Sequence, residues 1–526
     1  MVWRLLVIVF ALMGGLGVTA SQHKTLRFAF QGDLNSLDPY SLNETFTLST
    51  LANVMEGLIK RDKDLRIVPG LAERWEVLEP TRWRVHLRHG VVFHDGSPFT
   101  ADDVVFSADR VRAEGSQLKS RVPAGAKVVK IDDHTVDFVL ASPNPLLHQE
   151  WETWLIMSKS WAERNGAVAV QPATRTVSPA ALQANGTGPF MLVSHEPGVR
   201  TVLRANPRWW GKAKHNLAEV VIQTVKADAT RVAALQTGDM DLIDPVPLQD
   251  VDRIRAGGRS TVLTGPELRI IYLNMDSFRD ELLYSSVKGS NPFKDARVRK
   301  AFYKAIDIEA IDAKIMRGMA SPTALMIAPM LFARANEFKR HSFDVAAARR
   351  LMHEAGYGAG FDLTMDCPND RYVNDEAICK AVAAMLARID VRVTVNAMPK
   401  ARYFAKVGPT SKYDSSFNLL GWSANTLDSH GVLANLAVCR DADGKGGAFN
   451  FGGYCNPRID ALTAGILTEA DVGKRDGMIA EAFRILHEDA GMIPLHQQTL
   501  AWGVGAGVEI AQRADGHLRF EWVRVP

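Results

Sequence analysis

Residues 70–110 decide the fold and read GLAERWEVLEPTRWRVHLRHGVVFHDGSPFTADDVVFSADR. In the middle of this stretch, the apolar residues Trp83, Val85 and Leu87 alternate with polar residues, which is the pattern of a half-buried strand. Asp95 and Gly96 follow and indicate a tight turn, because glycine tolerates the positive φ that such turns need. The stretch therefore predicts a strand that leads into a turn.

A helix is predicted directly after this turn. Thr100 occupies the position of an N-cap and Asp103 follows three residues later, so the two side chains can satisfy free backbone groups at the helix start. Asp102 and Asp103 also favour the positive end of the helix dipole. Val104 and Ala108 supply the buried face.

Two elements are predicted upstream of this stretch. Residues 25–30 predict a first strand of the mature protein. Residues 43–58 predict a helix, with Phe46, Leu51 and Val54 on its apolar face.

Length and composition indicate a large globular protein. The chain has 526 residues, which is enough for two to four domains. Hydrophobic residues make up 47% and charged residues 23%, as in ordinary soluble domains. The net charge of +3 is small for this length and argues against nucleic acid as a partner.

The first twenty residues differ from the rest of the chain. Arg4 precedes an apolar run over residues 5–16, and Val-Thr-Ala at 18–20 fits a small-x-small cleavage site. Residues 1–20 are therefore predicted to be a secretory signal peptide, cut near Ala20 or Ser21. An uncleaved membrane anchor is the alternative, but the run is short for a membrane span. No cysteine precedes Cys367, which excludes a lipoprotein anchor at this site.

Four cysteines lie late in the chain: Cys367, Cys379, Cys439 and Cys455. Export to an oxidising compartment favours disulfides, and four cysteines allow three connectivities. None of the cysteines has the spacing of a zinc site, and we expect neither a metal nor a cofactor.

The order of residues in the 70–110 stretch resembles the signature of family 5 of the bacterial extracellular solute-binding proteins, the peptide- and nickel-binding group of ABC importers. That signature runs LAxxW, a strand, and then LRxGVxFHDGxPxTAxDVxFSxxR. The matching residues are Leu71, Ala72, Trp75, Leu87, Arg88, Gly90, Val91, Phe93, His94, Asp95, Gly96, Pro98, Thr100, Ala101, Asp103, Val104, Phe106, Ser107 and Arg110.

Further phrases of this family recur from about residue 26 to residue 498. They are GTGPF at 186–190, RVAALQTGDMDLI at 231–243, FKDARVRKAFYKAIDIEAI at 293–311 and AARRLMHEAGY at 347–357. The first phrase lacks the Lys-Ser/Thr of a phosphate loop, so we interpret its glycines as a structural crossing between domains.

The resemblance implies an α/β fold of the type II periplasmic-binding-protein kind, with two lobes joined by a hinge and an inserted third domain. Lobe I is expected to be discontinuous and to combine residues 21–55, 188–270 and 495–526. The inserted domain II is expected over residues 56–187, and lobe III over residues 271–494. The resemblance also favours the local disulfides Cys367–Cys379 and Cys439–Cys455.

Two stretches are expected to hold the ligand. In peptide-binding relatives, an arginine in the loop that matches residues 367–374 contacts the ligand carboxylate, so Arg371 and Tyr372 are candidates. A guanidinium offers a planar fork that matches a carboxylate. The second stretch, residues 419–428, resembles the family's GWxxDxxDP and adds Trp422 as a residue that either stacks on the ligand or belongs to the core.

Asn425 departs from the family pattern. In dipeptide and oligopeptide binders this position is an Asp that pairs with the free α-amino group of the ligand. An amide cannot neutralise a buried ammonium group, and an unpaired buried charge is costly. Either Asp428 substitutes in a shifted loop, or the ligand lacks a free α-amino group. Thr426 completes the expected set on this side, and Asn35 and Ser36 are expected to face it.

The sequence thus predicts the periplasmic substrate-binding component of an ABC importer. A peptide or peptide-like solute would be captured between two lobes and delivered to a permease and ATPase complex at the inner membrane, and we expect a monomer that is not an enzyme. A ligand of another kind, such as an opine, glutathione, haem or a nickel chelate, is the alternative on the same fold. A secreted hydrolase is a remote alternative because the chain has neither GxSxG nor HExxH. An envelope scaffold, which would lack a closing cleft, is a third.

Overall fold

The structure is a computed structural model that describes residues 24–171, 178–424, 426–440, 446–469 and 471–526. The predicted signal peptide and Asn425 lie outside these residues. The strands are β1 (Lys24–Phe30), β2 (Ile59–Arg61), β3 (Ile67–Pro69), β4 (Ala72–Glu79), β5 (Arg82–Leu87), β6 (Lys127–Asp132), β7 (Thr135–Val139), β8 (Phe190–Glu196), β9 (Arg200–Ala205), β10 (Leu217–Thr224), β11 (Leu242–Asp244), β12 (Ser260–Met275), β13 (Ser321–Pro322), β14 (Phe361–Pro368), β15 (Val391–Met398), β16 (Phe417–Trp422) and β17 (Ile493–Gly505).

Helices alternate with these strands, so the fold is mixed α/β. The α-helices are α1 (Thr45–Leu51), α2 (Ala101–Arg112), α3 (Lys159–Arg164), α4 (Pro179–Leu182), α5 (Asp228–Thr237), α6 (Val251–Ala256), α7 (Ala296–Ala305), α8 (Ile308–Ile311), α9 (Val345–Glu354), α10 (Asp375–Leu386), α11 (Lys400–Val407), α12 (Ser429–Val432), α13 (Pro457–Thr468) and α14 (Val472–Glu488). None of the helices in the described ranges is long and apolar enough to cross a membrane.

The 70–110 stretch folds as its sequence predicts. Trp83, Val85 and Leu87 are the buried residues of β5. Gly96 adopts a positive φ of 90° in the turn that follows. Thr100 is the N-cap of α2, and its backbone N–H donates to the Asp103 carboxylate at 2.9 Å. Local capping chemistry therefore positions this helix.

The strands of the described residues form three sheets. A four-stranded antiparallel sheet has the order β4-β5-β7-β6, and β2 pairs with β3 in a small separate sheet. The large sheet has the order β15-β14-β16-β12-β17-β11-β1-β10-β9-β8, with β13 beside β17. Both small sheets lie wholly inside the predicted domain II.

Two long antiparallel strands, β12 and β17, join the two ends of the large sheet. The last part of β12, Ile270 to Met275, pairs with β16. The last part of β17 pairs with β11 through Leu242 and Val504. The predicted lobe boundaries at 270/271 and 494/495 fall inside these two strands, and the division into three domains stays a prediction.

Buried apolar residues fall into separate clusters. The first cluster includes the N-terminal segment, residues of the predicted domain II and the C-terminal tail, and Trp151 and Trp154 are among its fully buried members. The second includes α7, β14 and α10, and the third includes α11, α13 and α14. The first cluster lies at the end of the large sheet that holds β1 and β10, and the third lies at the end that holds β15 and β16. The second cluster also contains Ala29, Val232 and Ile243, so it spans both ends.

The GTGPF phrase packs tightly against the segment after α1. The backbone N–H of Gly188 donates to the Val54 carbonyl at 2.9 Å. A Cβ at Gly186 would lie 2.0 Å from that same carbonyl oxygen, so only glycine fits there. This contact agrees with the structural interpretation of the two glycines.

The helix predicted over residues 43–58 is shorter in the structure. α1 ends at Leu51, and the backbone beyond it binds other segments instead of continuing the helix. The carbonyls of Asn53 and Glu56 accept the N–H groups of Phe190 and Ile156, at 3.0 and 2.9 Å. Tertiary hydrogen bonds have replaced helical ones in this segment.

Candidate ligand-binding cavity

A cavity of about 790 Å³ lies where the three predicted domains meet. Its lining combines Asn35 and Thr45 from the N-terminal segment, Lys119 from the predicted domain II, and Arg371 and Trp422 from the far end of the large sheet. The volume falls within the range of small-molecule sites, roughly 300–1,000 Å³. A ligand here would contact all three regions at once.

Arg371 and Tyr372 both line this cavity, on the loop between β14 and α10. A disulfide between Cys367 and Cys379 ties the end of β14 to α10. The backbone N–H groups of Arg371 and Tyr372 both donate to the Asp375 carboxylate at 3.0 Å. The loop is therefore held at both ends, which fixes where the guanidinium projects.

The second disulfide that the resemblance favours is also present. Cys439 and Cys455 are joined, with their Cα atoms 4.4 Å apart. Phe449 lies in the segment between them and lines the cavity. Its ring centroid lies 4.9 Å from that of Trp422, so Trp422 packs on an aromatic neighbour as well as facing the cavity.

Arg371 has an acidic neighbour that the sequence did not reveal. Its Nε lies 3.4 Å from Oε1 of Glu44, and Lys400 Nζ lies 3.5 Å from Oε2. Burial opposes ionisation of Glu44, but Lys400, Arg371 and hydrogen bonds from Thr47 outweigh it and hold its pKa at about 2. Glu44 is therefore ionised at neutral pH.

A second arginine, Arg269 on β12, also faces the cavity. Its guanidinium pairs with Glu267 at 2.7 Å and donates to the Thr45 hydroxyl at 2.7 Å. The one acidic residue in the described lining, Glu150, accepts from Arg121 at 2.9 Å. The cavity therefore presents more positive than negative charge to a ligand.

Several polar atoms of the lining are buried and lack a hydrogen-bond partner among the described residues. They are Asn35 Oδ1, Trp422 Nε1, Ser423 Oγ and Thr426 Oγ1. Buried polar groups in native proteins are nearly always hydrogen-bonded, so such a group marks a place where something else binds. Asn35, Trp422 and Thr426 are among the candidates predicted from the sequence.

Two other candidates do not line the cavity. The Ser36 hydroxyl is buried and accepts the backbone N–H of Asp38 at 3.1 Å. Asp428 caps α12 and forms a bidentate ion pair with Arg475. The two terminal guanidinium nitrogens donate to the two carboxylate oxygens at 2.8 and 3.0 Å. Since Arg475 already neutralises it, Asp428 is not available in this structure to receive a ligand amino group.

Sequence reasoning missed Glu44, Arg269 and Lys400. Glu44 falls inside the predicted helix, and Arg269 and Lys400 belong to no motif that we identified. His430 also lines the cavity, and burial lowers its pKa to about 4, so it is neutral at physiological pH.

A much smaller cavity of about 60 Å³ adjoins the main one at Thr45, Arg269 and Arg371. Asp244, at the end of β11, lines it and forms no side-chain hydrogen bond to a described residue. Burial and the nearby Glu267 raise its pKa to about 7, although Arg231, Arg371 and Arg269 oppose the shift. This carboxyl group is therefore half protonated near neutral pH.

Replacing Asp244 by asparagine is expected to stabilise the protein progressively as the pH rises. The carboxyl group ionises near 3.8 in the unfolded chain and near 7 in the folded one. The folded wild-type protein therefore binds more protons than its unfolded chain between these pH values. Its free energy of unfolding falls as pH rises, by up to about 1.4 kcal/mol per pH unit, and the asparagine variant escapes this loss. Urea unfolding midpoints of both proteins at about pH 4.5, 6 and 8 would measure this. A difference that does not change with pH would contradict the shift.

Within the described residues, one group of His and acidic side chains has the spacing of a metal site: Glu152, Asp515 and His517. The two acidic side chains of this group, Glu152 and Asp515, already form ion pairs with arginines. Glu152 accepts from Arg513 and Arg519 at 2.9 and 2.8 Å, and Asp515 also pairs with Arg513. The chemistry is that of a buried ion network.

Comparison with known proteins decides the family. The family described as bacterial extracellular solute-binding proteins, family 5 Middle, matches residues 66–444. The chain belongs to this family. It is the solute-binding component of an ABC importer, and its fold is the type II periplasmic-binding-protein fold that the sequence predicted.

Relatives match over nearly the whole chain. The glutathione-binding protein GsiB of Salmonella typhimurium is 25% identical over 486 residues, which are 90% of this chain and 88% of the relative. The periplasmic binding protein DppA from Helicobacter pylori, solved with the peptide STSA, superposes with a TM-score of 0.82 at 23% identity and covers 95% of this chain and 98% of its own. AgaA from A. tumefaciens R10, solved with agropinic acid, has a TM-score of 0.83 at 23% identity, covering 96% and 99%.

Proposed function

We propose that this chain captures a small peptide or peptide-like solute that carries at least one carboxylate, and holds it in the 790 Å³ cavity. Arg371 binds the carboxylate, and Asn35, Trp422, Ser423 and Thr426 supply hydrogen bonds. The solute then passes to the permease of the importer. No covalent step is involved, because the energy of transport comes from the partner ATPase.

The observation that carries this proposal is the set of unpartnered polar atoms around one cavity with a cationic wall. Four buried donor or acceptor atoms of the lining have no hydrogen-bond partner within the part of the chain that the structure describes. Arg371 and Arg269 face the same space. A carboxylate surrounded by hydrogen-bonding groups, as in a peptide, satisfies both features.

The names of the relatives fit the same chemistry. GsiB is named for glutathione, a tripeptide with two carboxylates. AgaA was solved with agropinic acid, a ligand that is an acid by name. Glutathione and opines therefore stand beside ordinary peptides as the ligands to examine first.

The cellular setting is part of the proposal. The mature chain begins near Ser21 after cleavage of the signal peptide, works in the periplasm as a monomer, and docks in its closed form on a permease and ATPase complex of the inner membrane. Both disulfides suit an oxidising compartment of this kind.

A thermal-shift screen of the purified mature protein would test the proposal. The panel contains dipeptides, longer peptides, glutathione, opines, haem and nickel chelates. A ligand at a hundred times its dissociation constant stabilises the folded state by about 2.7 kcal/mol, so a true ligand raises the melting temperature clearly. We expect hits among the carboxylate-bearing compounds.

The pattern of hits also decides the question that Asn425 raises. A hit among peptides with free amino termini would mean that an acid other than Asp428, which Arg475 occupies, receives the ammonium group. Hits only among compounds without that group would mean that Asn425 marks a changed specificity. Stabilisation by haem or a nickel chelate alone, and by no peptide, glutathione or opine, would contradict the proposal.

A further inference from the structure

Glu44, Arg371 and Lys400 form a buried ionic cluster beside the main cavity. Their side chains are 1%, 9% and 2% exposed. Arg371 lines the cavity itself, and the neighbours of Glu44 in the chain, Asn43 and Thr45, line it too. The cluster therefore lies at the edge of the ligand site.

The acid and the two cations come from different ends of the molecule. Glu44 caps α1, whose residues Phe46 and Leu48 pack in the first hydrophobic cluster. Arg371 precedes Tyr372, which packs in the second cluster, and Lys400 begins α11, whose Tyr403 packs in the third. The ion pairs therefore join α1 at one end of the large sheet to the loop after β14 and the start of α11 at the other end.

Glu44 is fixed to its own end of the molecule by local hydrogen bonds. Its Oε1 accepts the backbone N–H of Phe46 at 3.2 Å, and its Oε2 accepts both the N–H and the hydroxyl of Thr47 at 2.8 Å. The carboxylate is therefore held on α1 independently of the two cations.

The two cations are fixed to the opposite end and depend on Glu44. Lys400 Nζ and Arg371 Nε are buried and form no hydrogen bond to a described residue. The backbone N–H of Lys400 donates to Asp370 at 2.6 Å, and that of Arg371 to Asp375 at 3.0 Å. A buried cation without a partner is costly. Asp370 also interacts with Lys400 and Asp244 with Arg371, but Glu44 lies within 4 Å of both cations.

We propose that Glu44 is a positioning residue that latches the closed cleft, by pairing with Arg371 and Lys400 only when the two ends of the molecule have come together. The latch rests on the proposed function, since closure is what traps the solute. In this pairing the Nε of Arg371 faces Glu44, so the two terminal guanidinium nitrogens remain for a ligand carboxylate.

Glu44→Gln tests the latch without removing the helix cap. The amide oxygen of glutamine can take the place of Oε2 and accept both bonds from Thr47, so α1 keeps two of its three capping bonds while the charge is lost. The bond from Phe46 to Oε1 is lost because an amide NH2 group cannot accept it. Lys400→Met removes a charge from the opposite end. Glu196→Gln is the matched control, because Glu196 pairs with Arg200 on the same hairpin and both side chains are about half exposed.

Surface plasmon resonance with the best compound of the screening panel measures the effect. Both latch variants are expected to raise the dissociation constant about tenfold through faster dissociation, with an association rate within about twofold of the wild type, because the latch forms after encounter. The control should match the wild type. An unchanged dissociation rate in both variants would overturn the latch.

A ligand-free measurement separates this inference from the proposed function. Small-angle X-ray scattering reports the radius of gyration, which is larger when the cleft is open. Glu44→Gln and Lys400→Met are each expected to show a larger radius than Glu196→Gln at the same protein concentration. An equal radius in all three would overturn the latch, even if a solute binds.

Discussion

Replacing Arg371 by alanine is expected to raise the dissociation constant of the bound solute at least a hundredfold. The guanidinium faces the cavity from a loop held by a disulfide and by Asp375. Without it, the ligand carboxylate would lose its charged partner, because Arg269 on the same wall is already paired with Glu267, and this loss costs about 3–5 kcal/mol. Isothermal titration with the best compound of the screening panel measures the change.

Two further variants sharpen this prediction. Arg371→Lys keeps the charge but loses the planar fork, so its affinity should fall between those of the wild type and Arg371→Ala. Arg350→Ala removes an exposed arginine that lies 3.9 Å from Glu354, and it should leave binding unchanged. If Arg371→Ala bound as tightly as the wild type, Arg371 would have to be removed from the ligand site.

Replacing Glu152 by glutamine is expected to cost the largest amount of stability of any single change considered for this chain. Three arginines converge on its carboxylate: Arg61 at 3.2 Å, Arg513 at 2.9 Å and Arg519 at 2.8 Å. Burial opposes ionisation of Glu152, but Arg513, Arg519 and their neighbours hold its pKa far below the usual range. Loss of the negative charge leaves Arg61 and Arg519 without an ion-pair partner among the described residues, while Arg513 keeps Asp515, and this costs about 3–5 kcal/mol.

The urea midpoint of unfolding is the measurement for this change, with Glu481→Gln as the control. Glu481 pairs with Arg458 at 2.7 Å on the surface, where such a pair contributes at most about 1 kcal/mol. We expect a large drop in midpoint for Glu152→Gln and almost none for the control. Equal midpoints would mean that the arginine cluster is solvated and that Glu152 does not hold it.

Local signals in the sequence were enough for much of the fold. The alternation around Trp83 and the capping pair Thr100 and Asp103 predicted β5 and α2 because the chemistry that forms them lies within a few residues. The helix predicted over residues 43–58 was too long, since the backbone after Leu51 binds segments a hundred or more residues away. Hydrogen bonds between residues so far apart in the sequence do not affect the local periodicity of apolar residues, so the sequence pattern could not predict them.

In the candidate site, too, residues with a local sequence signal were predicted, and residues that depend on distant contacts were not. Arg371 was found through a family pattern in a short loop, and Asn35, Trp422 and Thr426 also line the cavity. Asp428 was proposed as a substitute clamp, but its partner Arg475 lies on α14, which sequence position does not bring near. Glu44 and Lys400 were missed because the ion pair that unites them joins distant parts of the chain.

The most direct test of the central claim changes the ligand rather than the protein. Isothermal titration of the wild-type protein would compare the best carboxylate-bearing compound of the panel with the same compound converted to its amide. Since an amide cannot form the charged fork with Arg371, we predict at least a hundredfold weaker binding of the amide. Equal affinity for acid and amide would contradict the claim that this cavity recognises a carboxylate.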